Sequence, residues 1–156
     1  MIKLLMEIEN VITRIFKKLP ADIVAIAARL AIASVFWRSA QTKISGWDFL
    51  DQSWQFYNLS QSTMVLFEYE YNLPLINYKI AAYLATFNEF FLSIAILIGF
   101  MTRLTAFGFL AMTTVIQIFV YPDAWPTHIL WVAILLYLIK NGAGQFSLDY
   151  LLFQKK

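Results

Sequence analysis

One acidic residue lies near the middle of the most apolar stretch of this sequence. Glu89 stands within residues 83–103, a run of membrane-spanning length whose side chains are mostly apolar. An ionisable group inside a membrane segment is costly unless it meets an opposite charge or a water-filled cavity, so it marks a functional site or a structural pair. The partner that the sequence predicts for Glu89 is Arg29, in the first apolar segment.

The predicted Glu89–Arg29 pair has two interpretations, and the sequence leaves both open. In the first, a bidentate ion pair between carboxylate and guanidinium holds the first two membrane helices together. In the second, the pair lines a polar cavity inside the bundle and takes part in chemistry. Asn88 and Gln117 carry neutral amides that complete the hydrogen bonding in either case.

Two further basic residues follow Arg29 in the same segment. Arg38 and Lys43 lie towards its far end, where long cationic side chains extend to the membrane interface. Arg29 and Arg38 are nine residues apart, which is about 900° of rotation at roughly 100° per residue. They therefore face opposite ways and cannot easily share one partner, and Arg29 is the deeper of the two.

The chain has one histidine, His128, just after a proline-containing turn, and no cysteine. With Asp123 it supplies too few donors for a metal ion, because metal sites normally use three or more protein ligands, and we predict no metal site. We interpret His128 as a helix-start or interface residue, with proton exchange and metal binding as the alternatives. Without cysteine the chain itself cannot form a disulfide or run a thiol–disulfide relay.

The composition is that of a protein whose apolar surface faces lipid. Hydrophobic residues make up 60% and charged residues 14% of the 156 positions, and the mean hydropathy is +0.63. Soluble domains carry about 25% charged residues, and one of this size could not bury so much apolar surface. The net charge of +2 is small, and the Lys and Arg residues stand at segment ends, which argues against a nucleic-acid partner. The sequence therefore predicts one integral membrane domain in a lipid bilayer.

Hydrophobic periodicity predicts an all-α integral membrane protein, a four-helix transmembrane bundle with an N-terminal interfacial amphipathic helix. Residues 1–20 place apolar side chains at steps of three and four with basic residues opposite, which is typical of a helix lying on the membrane surface. Charges interrupt this apolar run and no small-residue cleavage site follows, so we expect no cleaved signal peptide. The four-span domain covers residues 21–156, with predicted spans at 23–43, 79–101, 104–121 and 127–139.

The sequence predicts a loop over about residues 45–78, in which aromatic rings are interleaved with acidic side chains. Such rings settle in the headgroup layer, so we expect one or two short interfacial helices in this loop. The loop is either a lid over a cavity or a segment that follows the membrane surface. Most Lys and Arg residues, including Lys155 and Lys156, fall on the other side of a four-span chain. The positive-inside rule then places both termini in the cytoplasm and the aromatic loop outside.

Three motifs, taken in order, resemble the DoxX family of small four-helix membrane proteins. The first span resembles the opening motif of that family, the second resembles its Glu-apolar-Gly-x-x-x-Arg run, and the end resembles its Gly-x-Gly-x-x-Ser-Leu-Asp signature. One difference is Ser39-Ala40, where the family often has a glycine. The residues that carry the resemblance, over about residues 22–150, are Arg29, Leu30, Phe36, Ser39, Lys43, Ile44, Glu89, Gly99, Arg103, Ala106, Met112, Gly142, Gly144, Ser147, Leu148 and Asp149.

The resemblance implies a multi-pass protein of the bacterial plasma membrane, linked in some members to thiosulfate or thiol oxidation with quinone as electron acceptor. In that case Glu89 handles protons or bonds a quinone carbonyl, and Arg29 stabilises negative charge on the reduced ring. A protein partner or a second copy of the chain completes the system. The candidate cofactor-binding residues are Asn88, Gln117, Arg38 and Lys43.

Membership of a family does not fix an activity, so other functions stay open. A non-catalytic scaffold, in which the ion pair only holds the bundle, is the main alternative. A small transporter is less favoured, because four spans without an inverted repeat would have to oligomerise. Whether the chain itself is an enzyme is left open by the sequence.

Overall fold

The computed structural model describes residues 2–154, and within them the chain is mostly helical. Four helices are long and apolar enough to cross a membrane, which confirms the predicted all-α four-helix membrane fold. Lys155 and Lys156, which entered the topology prediction, lie outside the described residues. The spanning segments are Ala21–Lys43, Tyr78–Ile98, Thr102–Val120 and Pro122–Asn141.

The elements follow one another with short connections, except for one long insertion after the first span. In chain order they are α1 (Ile2–Phe16), α2 (Ala21–Lys43), the strands β1 (Asp48–Phe49) and β2 (Gln52–Ser53), α3 (Gln61–Val65), α4 (Tyr78–Ile98), α5 (Thr102–Val115) and α6 (Trp125–Asn141). π-Helical turns extend α3 and α5, at Leu66–Tyr71 and Ile116–Val120. The short turn between α4 and α5 makes those helices antiparallel neighbours.

Helix α1 leaves all of its side chains exposed. Its apolar residues recur at three- and four-residue steps and so share one side of the helix. Pro20 separates α1 from α2, since its ring restricts φ and it has no N–H to donate. The boundary near residue 20 and the position of α1 on the membrane surface stay predictions.

The four spanning helices form a ring in which each lies beside two others. α2 packs between α4 and α6, and α5 closes the ring on the opposite side. The core lies where Phe36 of α2 stacks on Phe109 of α5, with ring centroids 4.0 Å apart, and Trp131 of α6 meets Phe36 edge-on. Close packing of this kind, and not exclusion of water, holds helices together in lipid.

We call residues 44–77 the cap. They connect α2 to α4 in the chain and cover that end of the bundle. β1 and β2 pair as an antiparallel hairpin, and Ser60 caps α3 by accepting the backbone N–H of Thr63 at 3.2 Å. The predicted short helices of this segment are thus one helix, α3, with its π-helical extension. Phe56 of the cap packs on Phe90 of α4 with ring centroids 5.5 Å apart, which ties the cap to the bundle.

We call the opposite end of the bundle the base, defined as residues 20–22, 99–103 and 142–149. Here α4 ends at Gly99, whose φ of +69° is a left-handed conformation that suits glycine. Asn141 ends α6 in the same region, and the signature motif follows it. The buried polar residues that the sequence singled out lie on α2 and α4, one group towards the cap and the other towards the base.

Candidate functional site

Glu89 of α4 and Lys43 at the end of α2 form a buried ion pair. Lys43 Nζ donates to both carboxylate oxygens, at 2.8 Å to Oε2 and 3.1 Å to Oε1. Ser39, one turn before Lys43, donates its hydroxyl to Oε1 at 3.1 Å. Both charged residues are buried, with 3% of Glu89 and 4% of Lys43 exposed. The carboxylate is therefore satisfied by a cation and a hydroxyl, which a charge within a membrane bundle requires.

The predicted pairing of Glu89 with Arg29 is wrong. Arg29 lies beside Gly99 at the far end of α4, so close that a Cβ added to Gly99 would stand 2.3 Å from Arg29 Nη1. Glu89 precedes Gly99 by ten residues, about 15 Å along a helix that rises roughly 1.5 Å per residue. Arg29 is already eight residues into α2 when it meets the end of α4, so the first two turns of α2 extend past α4. Helices α2 and α4 are therefore shifted along each other, and this shift separates Arg29 from Glu89.

The sequence contained a signal for Lys43. Lys43 and Arg29 are fourteen residues apart, so at roughly 100° per residue they lie within about 40° of each other on α2. Both therefore face α4, whereas the sequence argument treated Lys43 as an interface residue and a cofactor ligand. The spacing of two heptads places Lys43 on the side of α2 that faces α4, with Ser39 one turn earlier, and so makes Lys43 a candidate partner of Glu89 beside Arg29.

A groove of about 280 Å³ between α4 and α5 reaches Glu89. Gly108 of α5 and alanines on both helices leave this space, and most of the walls are apolar. Two of the three π-helical turns in the described residues border the groove, Leu66–Tyr71 from the cap and Ile116–Val120 from the end of α5, whereas the third, Tyr150–Gln154, does not. π-Helical turns disturb the regular helical repeat and occur frequently at functional sites. Glu89 and its neighbour Asn88 are the polar groups that α4 contributes to the groove.

Tyr71 brings a phenol from the cap to this groove. Its ring packs edge-on against Phe67 at 4.7 Å and against Tyr121 at 5.6 Å. Burial raises the pKa of Tyr71, and the negative charges of Glu89 and Glu70 raise it further. Tyr121 donates to Glu70 Oε1 at 2.6 Å, which joins the cap to the α5–α6 turn. The Tyr71 phenol is therefore neutral at physiological pH and serves as a hydrogen-bond donor.

The other candidate cofactor-binding residues lie on different surfaces. Asn88 lines the groove beside Glu89. Arg38 is exposed on α2 and is not part of the groove. Gln117 lies on the side of α5 that faces α6, where its side chain bonds to His128 at 2.7 Å. Of these three residues, Asn88 alone reaches the groove.

Arg29 belongs to a second buried cluster, at the base of the bundle. Its Nη2 donates to the backbone carbonyl of Phe146 at 2.7 Å, whereas Nε and Nη1 have no partner within residues 2–154. Asp149 accepts the backbone N–H groups of Met101 and Thr102 at 2.7 and 2.8 Å, and so caps the start of α5. The carboxylate of Asp149 attracts Arg29 from a distance without forming a salt bridge.

The base is packed so closely that two of its glycines have no room for a side chain. Gly99, with φ +69°, touches Arg29 as described above. Gly144, with φ +78°, would place a Cβ 2.7 Å from Asp22 Oδ1. The same oxygen of Asp22 accepts the backbone N–H of Gln145 at 2.7 Å. The base is therefore held together by direct contacts of Gly99 and of the signature motif with α2.

The comparisons with known proteins identify a family and no individual relative. No curated protein and no solved structure matches the chain. The DoxX family model matches residues 24–122, which is more than half of the chain. The matched part contains both residues of the Glu89–Lys43 pair and the whole groove, while the signature motif of the base lies beyond it. On this match and its four-helix membrane fold, the chain belongs to the DoxX family.

Proposed function

We propose that this protein is the membrane subunit of a redox system and binds a quinone head group in the groove beside Glu89. A partner oxidoreductase, bound at the membrane, supplies the electrons. The observation that most supports this proposal is the position of Glu89, a buried carboxylate that also lines an apolar groove. Ionisable groups in such places mark proton and substrate pathways in membrane proteins.

The groove suits a flat, apolar ring with carbonyl groups at its edge. Its volume of about 280 Å³ is close to the lower end of the range for ligand pockets, about 300–1,000 Å³. A few polar groups in a mostly apolar pocket fix the orientation of a ligand, and Asn88, Glu89 and Tyr71 are placed to do so. An apolar tail would extend from the groove into lipid.

The side chains around the groove supply hydrogen bonds and a proton. A bound quinone accepts electrons and protons. The Asn88 amide and the Tyr71 phenol donate hydrogen bonds towards carbonyl oxygens. Glu89 gives or takes a proton, and Lys43 at 2.8 Å balances the charge of its carboxylate. Neither Lys43 nor Arg29 lines the groove, so the predicted stabilisation of the reduced ring by Arg29 has no part in this proposal.

A second candidate function is a non-catalytic scaffold. The ion pair favours this function because it needs no ligand to complete its hydrogen bonds. Ser39 and Lys43 satisfy both oxygens of the Glu89 carboxylate without any ligand. A pair of this kind holds α2 against α4 whether or not the groove is used. The two candidates differ in what happens when the groove is filled and the pair is left intact.

The test uses protein extracted from its native membrane in mild detergent and analysed by mass spectrometry for quinone and co-purifying proteins. Ala111 lines the groove and is not a member of the ion pair, so Ala111→Phe adds a ring to the groove and leaves Glu89 and Lys43 unchanged. Leu130→Phe adds the same ring on the lipid-exposed side of α6 and is the matched control. We expect near-stoichiometric quinone in the wild type and in Leu130→Phe, and a loss of quinone in a folded Ala111→Phe variant.

The ion pair is tested by changing both of its members together. Glu89→Gln with Lys43→Met removes both charges, so no buried charge is left without a partner. If this folded double variant loses quinone, the pair belongs to the site. If the wild type carries no quinone and no partner protein, or if Ala111→Phe binds as the wild type does, the scaffold function stands.

We also propose that the base faces the cytoplasm of a bacterial cell and that the cap lies outside. Lys17, Lys18, Arg103 and Lys140 lie at the base end of the helices, and the cap carries several carboxylates. This distribution follows the positive-inside rule. A cysteine introduced at Asp51 should react with a membrane-impermeant maleimide in intact cells, whereas one at Asn141 should not.

A further inference from the structure

A second cleft lies between α5 and α6, on a different side of α5 from the Glu89 groove. Its volume is about 250 Å³, and none of the residues that line it is charged. Trp125 and Ile129 stand at its edge with 63% and 53% of their surface exposed, so the cleft opens towards lipid. Two buried polar residues, Thr113 and His128, lie on its inner wall.

Gln117 determines which nitrogen of His128 carries the proton. The side-chain NH₂ of Gln117 donates to the backbone carbonyl of Pro122 at 2.6 Å, and a carbonyl can only accept. The amide oxygen is therefore the atom that meets His128 Nδ1 at 2.7 Å, and it accepts the Nδ1–H. A neutral imidazole protonated at Nδ1 has a free lone pair at Nε2. Nε2 makes no hydrogen bond within the described residues and is thus an open acceptor.

The hydroxyl of Thr113, on the inner wall of this cleft, is a second polar group without a hydrogen-bond partner within the described residues. Thr113 is 1% exposed, and its Oγ1 has no hydrogen-bond partner within residues 2–154. Leaving a buried hydroxyl unpaired is unfavourable, and most buried polar groups in native proteins are paired. The neighbouring Thr114 shows the ordinary arrangement, because its hydroxyl donates to the backbone carbonyl of Leu110 at 2.8 Å.

We propose that the α5–α6 cleft is a binding site for a neutral, membrane-soluble molecule that carries an aromatic hydroxyl group. The ligand hydroxyl donates to His128 Nε2, and its oxygen accepts from the hydroxyl of Thr113. The ligand is neutral because the cleft offers no opposite charge, and it enters from lipid because the open side is apolar. Trp125 supplies an aromatic surface against which a ring packs.

This site is separate from the quinone groove and does not depend on it. Met112 and Ile116 of α5 line the groove, whereas Thr113 and Gln117 line the cleft. Successive residues of a helix are rotated by roughly 100°, so Met112 and Ile116 face α4 whereas Thr113 and Gln117 face α6. A substitution of a residue that lines one site therefore leaves the residues that line the other site unchanged.

The test measures quenching of tryptophan fluorescence in detergent-solubilised protein by 4-bromophenol and by bromobenzene. The bromine atom quenches a nearby indole, and the two probes differ in the hydroxyl that the proposal requires. We expect saturable quenching by 4-bromophenol at a half-saturating concentration roughly tenfold below that of bromobenzene, from two added hydrogen bonds. Trp125→Phe should remove most of the saturable signal.

Three variants separate the proposed contacts from nonspecific partition into the micelle. Thr113→Val keeps the shape and should weaken 4-bromophenol binding roughly threefold, its share of the tenfold difference between the probes. His128→Asn keeps a donor for Gln117 and loses Nε2, and should weaken binding by a similar factor. Thr114→Val, in the same cleft, should leave binding unchanged because that hydroxyl is already paired.

Equal quenching by the two probes would overturn the proposal, since the hydroxyl would then contribute nothing. Unchanged binding by Thr113→Val would also overturn it, as would the same loss in Thr113→Val and Thr114→Val. Because Thr113 has no partner to lose within the described residues, Thr113→Val should unfold at the wild-type temperature or above it. A folding defect therefore does not explain a loss of binding in this variant.

Discussion

Lys43 and Arg29 are two buried cations of the same helix, and the protein stabilises them in different ways. Each is 4% exposed, yet Lys43 meets a carboxylate directly, whereas Arg29 meets the backbone carbonyl of Phe146. At the base the carboxylates bind backbone N–H groups instead, as Asp149 does at the start of α5. At the cap end the carboxylate of Glu89 binds side chains only.

The two buried charges also differ in their access to open space. Arg29 packs against Gly99, which leaves no room for a methyl group, and it does not line the cleft of about 480 Å³ that Asp22 and Asp149 border at the base. Glu89 itself lines the groove of about 280 Å³. A buried charge enclosed by packing and a buried charge that borders a cavity are thus found in one chain. Buried charge by itself does not identify a site, whereas a buried charge that borders unfilled space does.

The largest expected effect comes from removing each cation in turn. Lys43→Met leaves the Glu89 carboxylate buried without its cation and should lower the free energy of unfolding by about 3–5 kcal/mol at neutral pH. Arg29→Met loses one hydrogen bond to a backbone carbonyl and leaves no carboxylate unpaired, so it should cost roughly 1–2 kcal/mol. Unfolding in mixed micelles at rising denaturing-detergent content measures both.

The same measurement on the double variant Glu89→Gln, Lys43→Met sharpens the comparison. We expect most of the lost stability to return, since a neutral pair replaces an unpaired buried charge. Equal losses for Lys43→Met and Arg29→Met would show that the ion pair has no special place in the stability of the bundle.

Next in size is the contrast between two glycines. Gly99→Ala places a methyl group against Arg29 at a φ of +69° and should cost about 1–3 kcal/mol. Gly108→Ala, beside the groove, meets only the flexible end of Leu92 at 3.1 Å, and removing a glycine from a helix interior stabilises it by roughly 0.5–1 kcal/mol. Thermal unfolding of the two variants should therefore shift in opposite directions.

Asp149 provides a smaller effect, confined to the base. Asp149→Ala removes the acceptor of two backbone N–H groups at the start of α5, and should cost about 1–2 kcal/mol. Hydrogen exchange should rise at Met101 and Thr102 and stay unchanged around Glu89. Asp123→Ala removes an exposed carboxylate and should change stability by less than about 0.5 kcal/mol.

The smallest expected effect concerns the contact between the cap and the α5–α6 turn. Tyr121→Phe removes the hydrogen bond to Glu70 and should cost about 0.5–1.5 kcal/mol. Partial burial and the hydrogen bond to Glu70 raise the pKa of Tyr121 above 10.0. Since a raised pKa favours the neutral phenol in the folded state, its contribution is complete below pH 10 and is lost as the pH rises through the folded value.

That pH dependence is checked by unfolding the wild type and Tyr121→Phe at a series of alkaline pH values. The difference between the two proteins should be constant up to about pH 10 and should then shrink. A difference that shrinks below that pH would mean that the Tyr121–Glu70 contact does not carry the stability assigned to it.

The sequence predicted the four spans well, because an apolar run bounded by charges or turn residues allows little choice. The predicted spans at 23–43 and 79–101 compare with Ala21–Lys43 and Tyr78–Ile98. The fourth span, predicted at 127–139, is longer in the structure, since the turn Pro122–Ala124 and Trp125 lead directly into α6. Boundaries set by turns are harder to place than runs of apolar residues.

The pairing inside the bundle was harder to predict, because it depends on how far each helix is shifted along its neighbour. The type and surroundings of Glu89 alone marked it as an ionisable residue within a membrane segment, and so as a functional site or half of a structural pair. Its partner depended on the offset between α2 and α4, which the first turns of α2 and the signature motif set through contacts distant in sequence. No periodicity within a single helix carries that information, although the spacing of Arg29 and Lys43 narrows the choice.

The separation of the two buried cations also makes the thickness of the surrounding bilayer matter. Arg29 and Lys43 are fourteen residues apart on α2, which is about 21 Å at roughly 1.5 Å per residue. A hydrocarbon layer of about 30 Å would then place both charges a few ångströms inside its two boundaries. In a thinner bilayer the two charges would lie closer to water. In a thicker bilayer they would lie deeper in the hydrocarbon layer, or the bilayer would become thinner around the protein. Lipid chain length is therefore expected to change the stability of this bundle at both ends together.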